Sequence, residues 1–324
     1  MSRFASLFLL TLAFSGCSGS APEAPGLQSI RLVLNWYPEP EFGGFYEGVL
    51  GDHYQNAGFD VEIVPGGPGA PSLELLGVGK AQVAITTADD ILVKRLKGVE
   101  AKAVWAAFQH SPQGLMVHAA SPVTALEQIP TLESPRVAIE VGRPFQQFLW
   151  QEYGWEGKVE AVPYGGSVGP FLTDPNTIQQ AYVTSEPCIA DAKGSPTRFL
   201  STRDSGWNPY GTVVAVADPV PEWTARFVQA TADAWQAYLR APDHANTEII
   251  RQNDQLNVGL IGCITDLQRP YVTGDDGLGA MTEARWEATA ANLTKLGLLP
   301  EGVRAAGAWQ NMSAEAPSAA TTTP

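Results

Sequence analysis

The sequence predicts an α/β protein of two lobes, each built on a mostly parallel sheet with helices on its faces. Short β-rich runs alternate with helical runs from residue 30 onward, and this alternation favours parallel strands joined by helices. A hydrophilic, proline-containing interval follows residue 119, and the alternation begins again at residue 136. Beyond residue 217 the chain is mostly helical. We therefore expect two α/β units followed by a helical segment.

The first unit contains five predicted strands. They cover residues 30–35, 59–64, 81–87, 101–108 and 114–119. Helices are predicted from about Gly44 to Asn56, from near Ser72, and over residues 88–98. Gly58 fits the C-terminal cap of the first helix, because glycine readily adopts the left-handed conformation that such caps need.

The second unit repeats this pattern and is followed by helices. Its predicted strands cover residues 136–140, 158–164, 178–186 and 197–202, with a last strand at 211–217. A helix over 144–154 has Pro144 in its first turn, where the missing N–H breaks no helical hydrogen bond. One face of the helix predicted over 222–241 carries Phe227, Val228, Thr231, Ala234, Trp235 and Tyr238.

The last helical segment has too few strands to form a third domain, so we expect it to pack on the first unit. The chain would then cross between the lobes twice, near His118–Ser121 and near Tyr210–Thr212. Two crossing strands form a hinge and leave a cleft, where small-molecule sites are common. The predicted boundaries are 1–16 for a lipoprotein signal peptide, 17–29 for a flexible tether, 30–119 with 212–310 for lobe 1, 120–211 for lobe 2, and 311–324 for a disordered tail.

The N-terminal residues have the pattern of a bacterial lipoprotein export signal. Arg3 precedes an apolar run over residues 4–14, and Cys17 follows a pair of small residues. The run is shorter than the roughly 20 residues that a membrane-spanning helix needs. We expect cleavage before Cys17 and lipid attachment to it, which would anchor the protein at a membrane of the cell envelope, facing the periplasm or the exterior. An ordinary signal peptide with an incidental cysteine is the alternative.

The composition argues against several classes of partner. The formal net charge is −14 and the pI about 4.7, which disfavours nucleic acid because phosphate binding needs clustered Lys and Arg. The four histidines are isolated and HExxH is absent, so neither a metal nor another cofactor is expected. Cys188 and Cys263 could pair in an oxidising compartment or remain two buried thiols. A monomer is expected.

The stretch "LNWYPEPEFGGFYEG" at residues 34–48 crowds aromatics, prolines and glutamates where the first strand ends. In a parallel α/β sheet, ligands bind beyond the carboxyl ends of the strands. Other segments at such ends are 66–70, 86–90, 108–112, 140–143, 164–167 and 185–187. They offer aromatic rings, carboxylates and hydroxyls without a recognisable nucleophile and base pair. This composition favours recognition of a flat polar molecule, and we expect no enzymatic activity.

Several of these stretches carry a family resemblance. "LNWYPEPEFGGFY", "GFDVEIVPGG", "GKAQVAITTADDILVKRLKG" and "AYVTSEP" resemble substrate-binding proteins of ABC importers, in the group that binds pyrimidine precursors of thiamine. The resemblance covers about residues 30–215 and implies the type II periplasmic-binding-protein fold with two hinge strands. The group's first loop is retained at Trp36, Pro38, Gly44 and Tyr46. It is changed at four positions, with Asn35 for Asp, Glu39 and Glu41 for Asn, and Phe42 for His.

The resemblance also implies roles for individual residues. Trp36 would stack against a heteroaromatic ring, and Glu186 would accept a hydrogen bond from an exocyclic amine. An aminopyrimidine presents an NH₂ donor beside a ring-nitrogen acceptor, which a carboxyl group that carries or shares a proton can satisfy. The alternatives are core packing for Trp36 and a helix N-terminal carboxylate for Glu186. The candidate ligand-binding residues are Asn35, Trp36, Glu39, Tyr46, Thr87, Asp89, Gln109, Tyr164, Glu186 and Asn208.

The sequence thus predicts a lipid-anchored solute-binding component of an ABC importer, which docks on permease and ATPase subunits. Its expected ligand is a small planar heterocycle such as a thiamine pyrimidine precursor. The alternatives are another solute (riboflavin, a sulfonate or nitrate) and a ligand sensor. A pyrimidine-forming enzyme of the same superfamily fits less well, because Phe42 replaces its histidine and its cysteine-rich run is missing.

Overall fold

The computed structural model describes residues 26–274 and 277–312, and these form two five-stranded sheets. The predicted signal peptide, Cys17 and most of the predicted tether and tail lie outside the described residues. The strands are β1 (Gln28–Val33), β2 (Phe59–Val64), β3 (Val83–Thr86), β4 (Ala101–Phe108), β5 (Gln113–His118), β6 (Arg136–Ile139), β7 (Glu160–Pro163), β8 (Ile178–Tyr182), β9 (Thr197–Ser201) and β10 (Gly211–Ala217).

Helices follow most strands and make up most of the C-terminal part. They are α1 (Gly43–Leu50), α2 (His53–Asn56), α3 (Ser72–Gly77), α4 (Ala88–Leu96), α5 (Pro144–Glu152), α6 (Gly169–Thr173), α7 (Glu186–Ala192), α8 (Thr224–Arg240), α9 (Asp243–Gln252), α10 (Val258–Val272) and α11 (Glu283–Lys295). Short 3₁₀ turns lie at Pro40–Phe42, Leu126–Thr131 and Arg203–Ser205. Asn257 caps α10, because its side-chain oxygen accepts from the backbone N–H groups of Gly259 and Leu260.

The two sheets have the same arrangement of strands. The first has the order β2-β1-β3-β10-β4 and the second β7-β6-β8-β5-β9. In each described sheet one inserted strand, β10 or β5, runs antiparallel to both neighbours. The other strands run in one direction, so their carboxyl ends meet at one edge. The predicted pair of mostly parallel, helix-flanked lobes is confirmed.

The assignment of β5 needs a correction. Residues 114–119 were expected in lobe 1, whereas β5 pairs with β8 and β9 in the second sheet. The first crossing between the lobes therefore lies at residues 109–112, before β5 and not after it. The alternation of side chains along a strand identifies a strand but does not identify its partners. The second crossing lies just before β10, where it was expected.

Both ends of the described fold extend beyond the predicted boundaries. β1 begins at Gln28, inside the span predicted as tether. At the other end, the backbone N–H of Met312 donates to Val104 over 3.1 Å, and the Asn311 side chain donates to Met281 over 3.3 Å. Residues 311 and 312, predicted as part of the tail, thus pack against the first lobe.

Helix α1 packs directly on α8, and the two glycines at its start allow this close approach. A Cβ on Gly43 would lie 2.1 Å from the Tyr238 ring, and one on Gly44 would lie 2.2 Å from the Trp235 ring. The apolar face predicted for α8 is buried. The helices α8 and α9 therefore cover the first lobe, and this packing positions the segment between β1 and α1.

Cys188 and Cys263, whose pairing the sequence left open, form a disulfide with their Cα atoms 6.4 Å apart. Cys188 lies in α7 of the second lobe and Cys263 in α10. Helix α10 also packs against the first lobe at the 40–42 turn and at β4. The disulfide consequently ties the second lobe to the C-terminal helices that cover the first.

Candidate functional site

A cavity of about 280 Å³ lies between the two lobes, beyond the carboxyl ends of their parallel strands. The first lobe contributes residues that follow β1 and β3, and the second contributes residues that follow β6 and β8. This is the position that parallel α/β topology favours for a ligand. The polar and aromatic lining includes Asn35, Trp36, Glu39, Glu41, Ser72, Glu74, Thr87, Asp89, Asp90, Lys94, Glu140, Arg143, Gln180, Tyr182, Ser185 and Glu186.

The indole of Trp36 lines this cavity and is held by two tyrosine rings. The Tyr164 ring, from the second lobe, stacks on it at a centroid distance of 6.1 Å and an interplanar angle of 13°. The Tyr37 ring meets it edge-on at 5.6 Å. Trp36 is half-buried and lies at the cavity, where its ring can contact a planar ligand.

Glu186, the first residue of α7, is anchored by hydrogen bonds within the second lobe. Its Oε1 accepts from the Tyr164 hydroxyl over 2.8 Å, and its Oε2 accepts from the backbone N–H of Tyr182 over 2.9 Å. Burial raises the pKa of Glu186, and these two hydrogen bonds oppose the increase. Its carboxyl group is therefore fixed in position at the cavity wall.

Glu39 connects the lobes across the cleft. Its Oε2 accepts from the Ser185 hydroxyl over 2.6 Å. Burial and the nearby charge of Glu186 raise the pKa of Glu39 to about 8, against hydrogen bonds from Ser185 and Trp36. The buried position of this carboxyl group therefore favours its protonated form.

Glu41 lies in the same turn, and it was not among the residues predicted from the sequence. Its side chain lines the cavity and is only 7% exposed. Within the described residues its carboxyl group has no hydrogen-bond partner and no ion-pair partner. Burial, followed by the charges of Glu39 and Glu186, raises its pKa well above the ordinary value.

A second group of charges closes the other side of the cavity. Arg143, at the start of α5, donates to Asp90 of α4 and so joins the two lobes. The neighbouring Asp89 is buried, and this burial together with the charge of Asp90 raises its pKa to about 6, against the attraction of Arg143. Lys94, the other cation of the lining, pairs with Glu74.

The structure brings six of the ten predicted residues to the cavity lining. These are Asn35, Trp36, Glu39, Thr87, Asp89 and Glu186. Tyr164 lies behind them, where it contacts both Trp36 and Glu186. It therefore supports the lining residues without belonging to the lining.

The remaining three predicted residues lie elsewhere and have other partners. Tyr46 donates to Gln252 over 2.9 Å, between α1 and α9. The Gln109 side chain donates to the carbonyl of Ala106 over 2.9 Å. Asn208 accepts from the backbone N–H of Ser111 over 2.9 Å, at the place where the chain crosses between the lobes.

Four further residues of the lining were not predicted: Glu41, Arg143 and Ser185, which lie beyond strand ends, and Tyr182, the last residue of β8. Glu41 had a detectable signal, because it is a second carboxylate two positions after Glu39 in the same unusual loop. The importance of Arg143 depends on its partner Asp90, which lies 53 positions away in the other lobe. No local pattern reveals such a pair.

Within residues 26–274 and 277–312, no helix is long and apolar enough to cross a membrane. No group of three or more His, Cys, Asp or Glu residues in these ranges is arranged to hold a metal ion.

Known proteins match both the sequence and the fold. Residues 39–245 match the family described as NMT1/THI5 like. Over 269 residues the chain is 20% identical to the formylaminopyrimidine-binding protein of Halalkalibacterium halodurans, covering 80% of this chain and 81% of that protein.

Two solved structures with this architecture are periplasmic binding proteins. The periplasmic aliphatic sulphonate binding protein SsuA of Escherichia coli matches with a TM-score of 0.65 and 16% identity, covering 87% of this chain and 92% of that chain. The periplasmic nitrate-binding protein NrtA of Synechocystis PCC 6803 matches with a TM-score of 0.66 and 12% identity, covering 87% and 84%. At these identities the likeness concerns the fold, and it confirms the periplasmic-binding-protein architecture expected from the sequence.

Proposed function

The chain belongs to the NMT1/THI5-like family, and we propose that it is the solute-binding component of an ABC importer that captures a planar, nitrogen-rich heterocycle between its lobes. The observation that carries this proposal is that Trp36 lines the same cavity as three buried carboxyl groups, those of Glu39, Glu41 and Glu186. An indole offers a stacking surface, and carboxyl groups accept hydrogen bonds from ring or exocyclic N–H groups.

A thiamine pyrimidine precursor is the ligand that we favour. The relative from Halalkalibacterium halodurans is named for binding formylaminopyrimidine. An aminopyrimidine could lie against Trp36 and direct its amine towards Glu186. Anionic solutes such as nitrate or a sulfonate fit this cavity less well, because its lining carries seven carboxyl groups (Glu39, Glu41, Glu74, Asp89, Asp90, Glu140, Glu186) against Lys94 and Arg143.

Binding would act through the closure of the lobes. The hydrogen bond from Ser185 to Glu39 and the ion pair of Asp90 with Arg143 both span the cleft. A ligand stabilises the closed form only to the extent that it contacts both lobes in that form. The closed form would dock on a permease, and an ATPase would drive transport. A sensor that closes on the same ligand and signals to a membrane partner remains an alternative role for the same site.

We also propose that the mature protein begins at a lipidated Cys17 and faces the periplasm or the exterior, as a monomer on a short tether. The support for the anchor is the export-signal pattern of residues 1–17, which lies outside the described part of the chain. Metabolic labelling with a radioactive fatty acid tests it. Wild-type protein should incorporate the label and the Cys17→Ala variant should not, whereas equal labelling of both would refute the anchor.

A thermal-shift panel tests the proposed ligand class. Thiamine pyrimidines, riboflavin, nitrate and alkanesulfonates are compared on the purified protein. A ligand at 100 times its dissociation constant should stabilise the fold by about 2.7 kcal/mol. We expect a shift with aminopyrimidines, and a response to nitrate or sulfonates alone would contradict the proposal.

A further inference from the structure

We propose that the ligand carries a positive charge, and that Glu41 receives its cationic N–H group with Glu39 and Glu186 beside it. This inference rests on the proposed function and deepens it, because it specifies the charge of the heterocycle and assigns a contact that the sequence did not reveal. A protonated aminoalkyl group or a protonated ring nitrogen on the heterocycle has this chemistry.

The first support is the environment of Glu41. A largely buried carboxyl group without a protein partner depends for its hydrogen bonds on whatever occupies the cavity it lines. The Glu41 side chain is 7% exposed, lines the cavity, and has no hydrogen-bond or ion-pair partner within the described residues. Glu39 and Glu186, by contrast, each accept hydrogen bonds from the protein. The carboxyl group of Glu41 is therefore available to a ligand in the cavity.

The second support is a further polar atom without a partner in the same lining. The side-chain oxygen of Asn35 is buried and accepts no hydrogen bond within the described residues. Like the carboxyl oxygens of Glu41, it is an acceptor. Two acceptors without partners around one cavity call for a ligand that is rich in donors.

The third support is the balance of charge. Lys94 pairs with Glu74 and Arg143 pairs with Asp90, so both cations of the lining are neutralised by the protein. The other carboxyl groups of the lining have no ion-pair partner among the described residues; they are Glu39, Glu41, Asp89, Glu140 and Glu186. A positive charge on the ligand would let neighbouring carboxyl groups ionise together, because it replaces their mutual repulsion with attraction.

A neutral ligand is the competing possibility, in which Glu39, Glu41 and Glu186 hold protons and form ordinary hydrogen bonds. The two possibilities predict different affinities for two similar ligands that differ by one unit of positive charge. The probes are 4-amino-5-aminomethyl-2-methylpyrimidine, which is a cation at neutral pH, and its N-formyl derivative, which is neutral. Calorimetric titration at one ionic strength gives both affinities.

We expect the cationic amine to bind at least about 10-fold more tightly than the N-formyl compound, because a hydrogen bond to a charged group contributes more than a neutral one. Tighter binding of the N-formyl compound would overturn the inference and leave the proposed function standing. If neither pyrimidine binds, or if only an alkanesulfonate binds, both the inference and the proposed function fail.

Variants assign the effect to Glu41. Glu41→Gln keeps the size of the side chain and should weaken binding of the amine by about 10- to 100-fold while changing binding of the N-formyl compound by less than about 3-fold. Glu62→Gln removes an exposed carboxylate from β2 of the same lobe and should change neither affinity. An unchanged amine affinity in Glu41→Gln would overturn the assignment. If that variant fails to fold, Glu41→Asp is used. It keeps the carboxyl group but moves it away from the cavity by one methylene group. We again expect weaker binding of the amine and unchanged binding of the N-formyl compound.

Discussion

The Ser185 hydroxyl donates a hydrogen bond to Glu39 Oε2 over 2.6 Å, and this bond joins the second lobe to the first. Both side chains are buried and line the cavity. On the other side of the cavity, Arg143 of the second lobe pairs with Asp90 of the first. The lobes are thus closed around the cavity in this structure, and the bonds that span the cleft are candidates for coupling closure to binding.

Removal of the Ser185 hydroxyl should weaken ligand binding more than it weakens the fold. We expect Ser185→Ala to lower the affinity for an aminopyrimidine by about 10-fold, because the closed form loses a buried hydrogen bond. Calorimetric titration measures this change. Ser167→Ala, which removes an exposed hydroxyl of the same lobe, is the control. Equal affinities of the wild type and Ser185→Ala would show that this bond does not contribute to closure.

Trp36 should contribute to affinity through its ring. Its neighbours Tyr37 and Tyr164 hold the indole but do not replace its surface in the cavity. We expect Trp36→Ala to reduce the affinity for a heterocycle by about 10- to 100-fold and Trp36→Phe by much less, because a smaller aromatic ring still stacks. The midpoint of thermal unfolding without ligand should change little. A large fall in that midpoint with unchanged affinity would assign Trp36 to core packing.

Glu186→Gln should lower the stability of the ligand-free protein. In the wild type, one carboxyl oxygen accepts from the Tyr164 hydroxyl and the other from the Tyr182 N–H. The amide of glutamine has a single oxygen for these two donors. One donor loses its acceptor, so we expect the free energy of unfolding to fall by about 1–2 kcal/mol, measured by urea denaturation without ligand. Glu160→Gln, an exposed change in the same lobe, is the control. Full stability of Glu186→Gln would contradict the structural role of this carboxyl group.

The ligand-free protein should lose stability as the pH rises through neutrality. The folded state raises the pKa of Glu39 from 4.5 to about 8, by burial first and then by the charge of Glu186. Between these values the folded state binds a proton that the unfolded chain has lost, so stability decreases with increasing pH. Burial and nearby carboxyl groups also raise the pKa values of Glu41 and Tyr164.

From pH 6 to pH 8 the decrease attributable to Glu39 should be about 2 kcal/mol, which urea denaturation at the two pH values measures. The Glu39→Gln variant should lose most of this dependence, since it removes the titrating group. A wild-type stability that is constant or increases over the range would contradict a raised pKa of Glu39 in the folded state.

The disulfide between Cys188 and Cys263 should stabilise the fold substantially. The two residues are 75 positions apart, and a crosslink over such a length restricts the unfolded chain strongly. We expect the double variant Cys188→Ser/Cys263→Ser to lose about 2–4 kcal/mol of unfolding free energy. Urea denaturation measures the loss, and mass spectrometry of the unreduced protein verifies the bond. A wild-type protein with two free thiols would contradict the pairing.

The fold and one wall of the site could be predicted because their signals are local. The alternation of strands and helices gives the lobes, and the aromatic, acidic loop after β1 marks Trp36 and Glu39 as candidates for the lining. Glu186 was accessible by the same reasoning, since it follows the end of β8.

The remaining features depend on contacts between distant segments. The sequence of β5 would fit a strand in either lobe, and only its pairing with β8 and β9 assigns it to the second lobe. The disulfide across the lobes, and the absence of a partner for Glu41 among the described residues, likewise arise only when both lobes are assembled. These are properties of three-dimensional neighbours, and a single sequence does not encode them in adjacent residues.

A crystal structure of the protein with an aminopyrimidine bound tests the central claim most directly. The account predicts that the ring lies in the cavity between the lobes, against the indole of Trp36, with its N–H groups at Glu41 and Glu186. A ligand bound elsewhere, or a ring in the cleft that leaves Trp36 without contact, would contradict it.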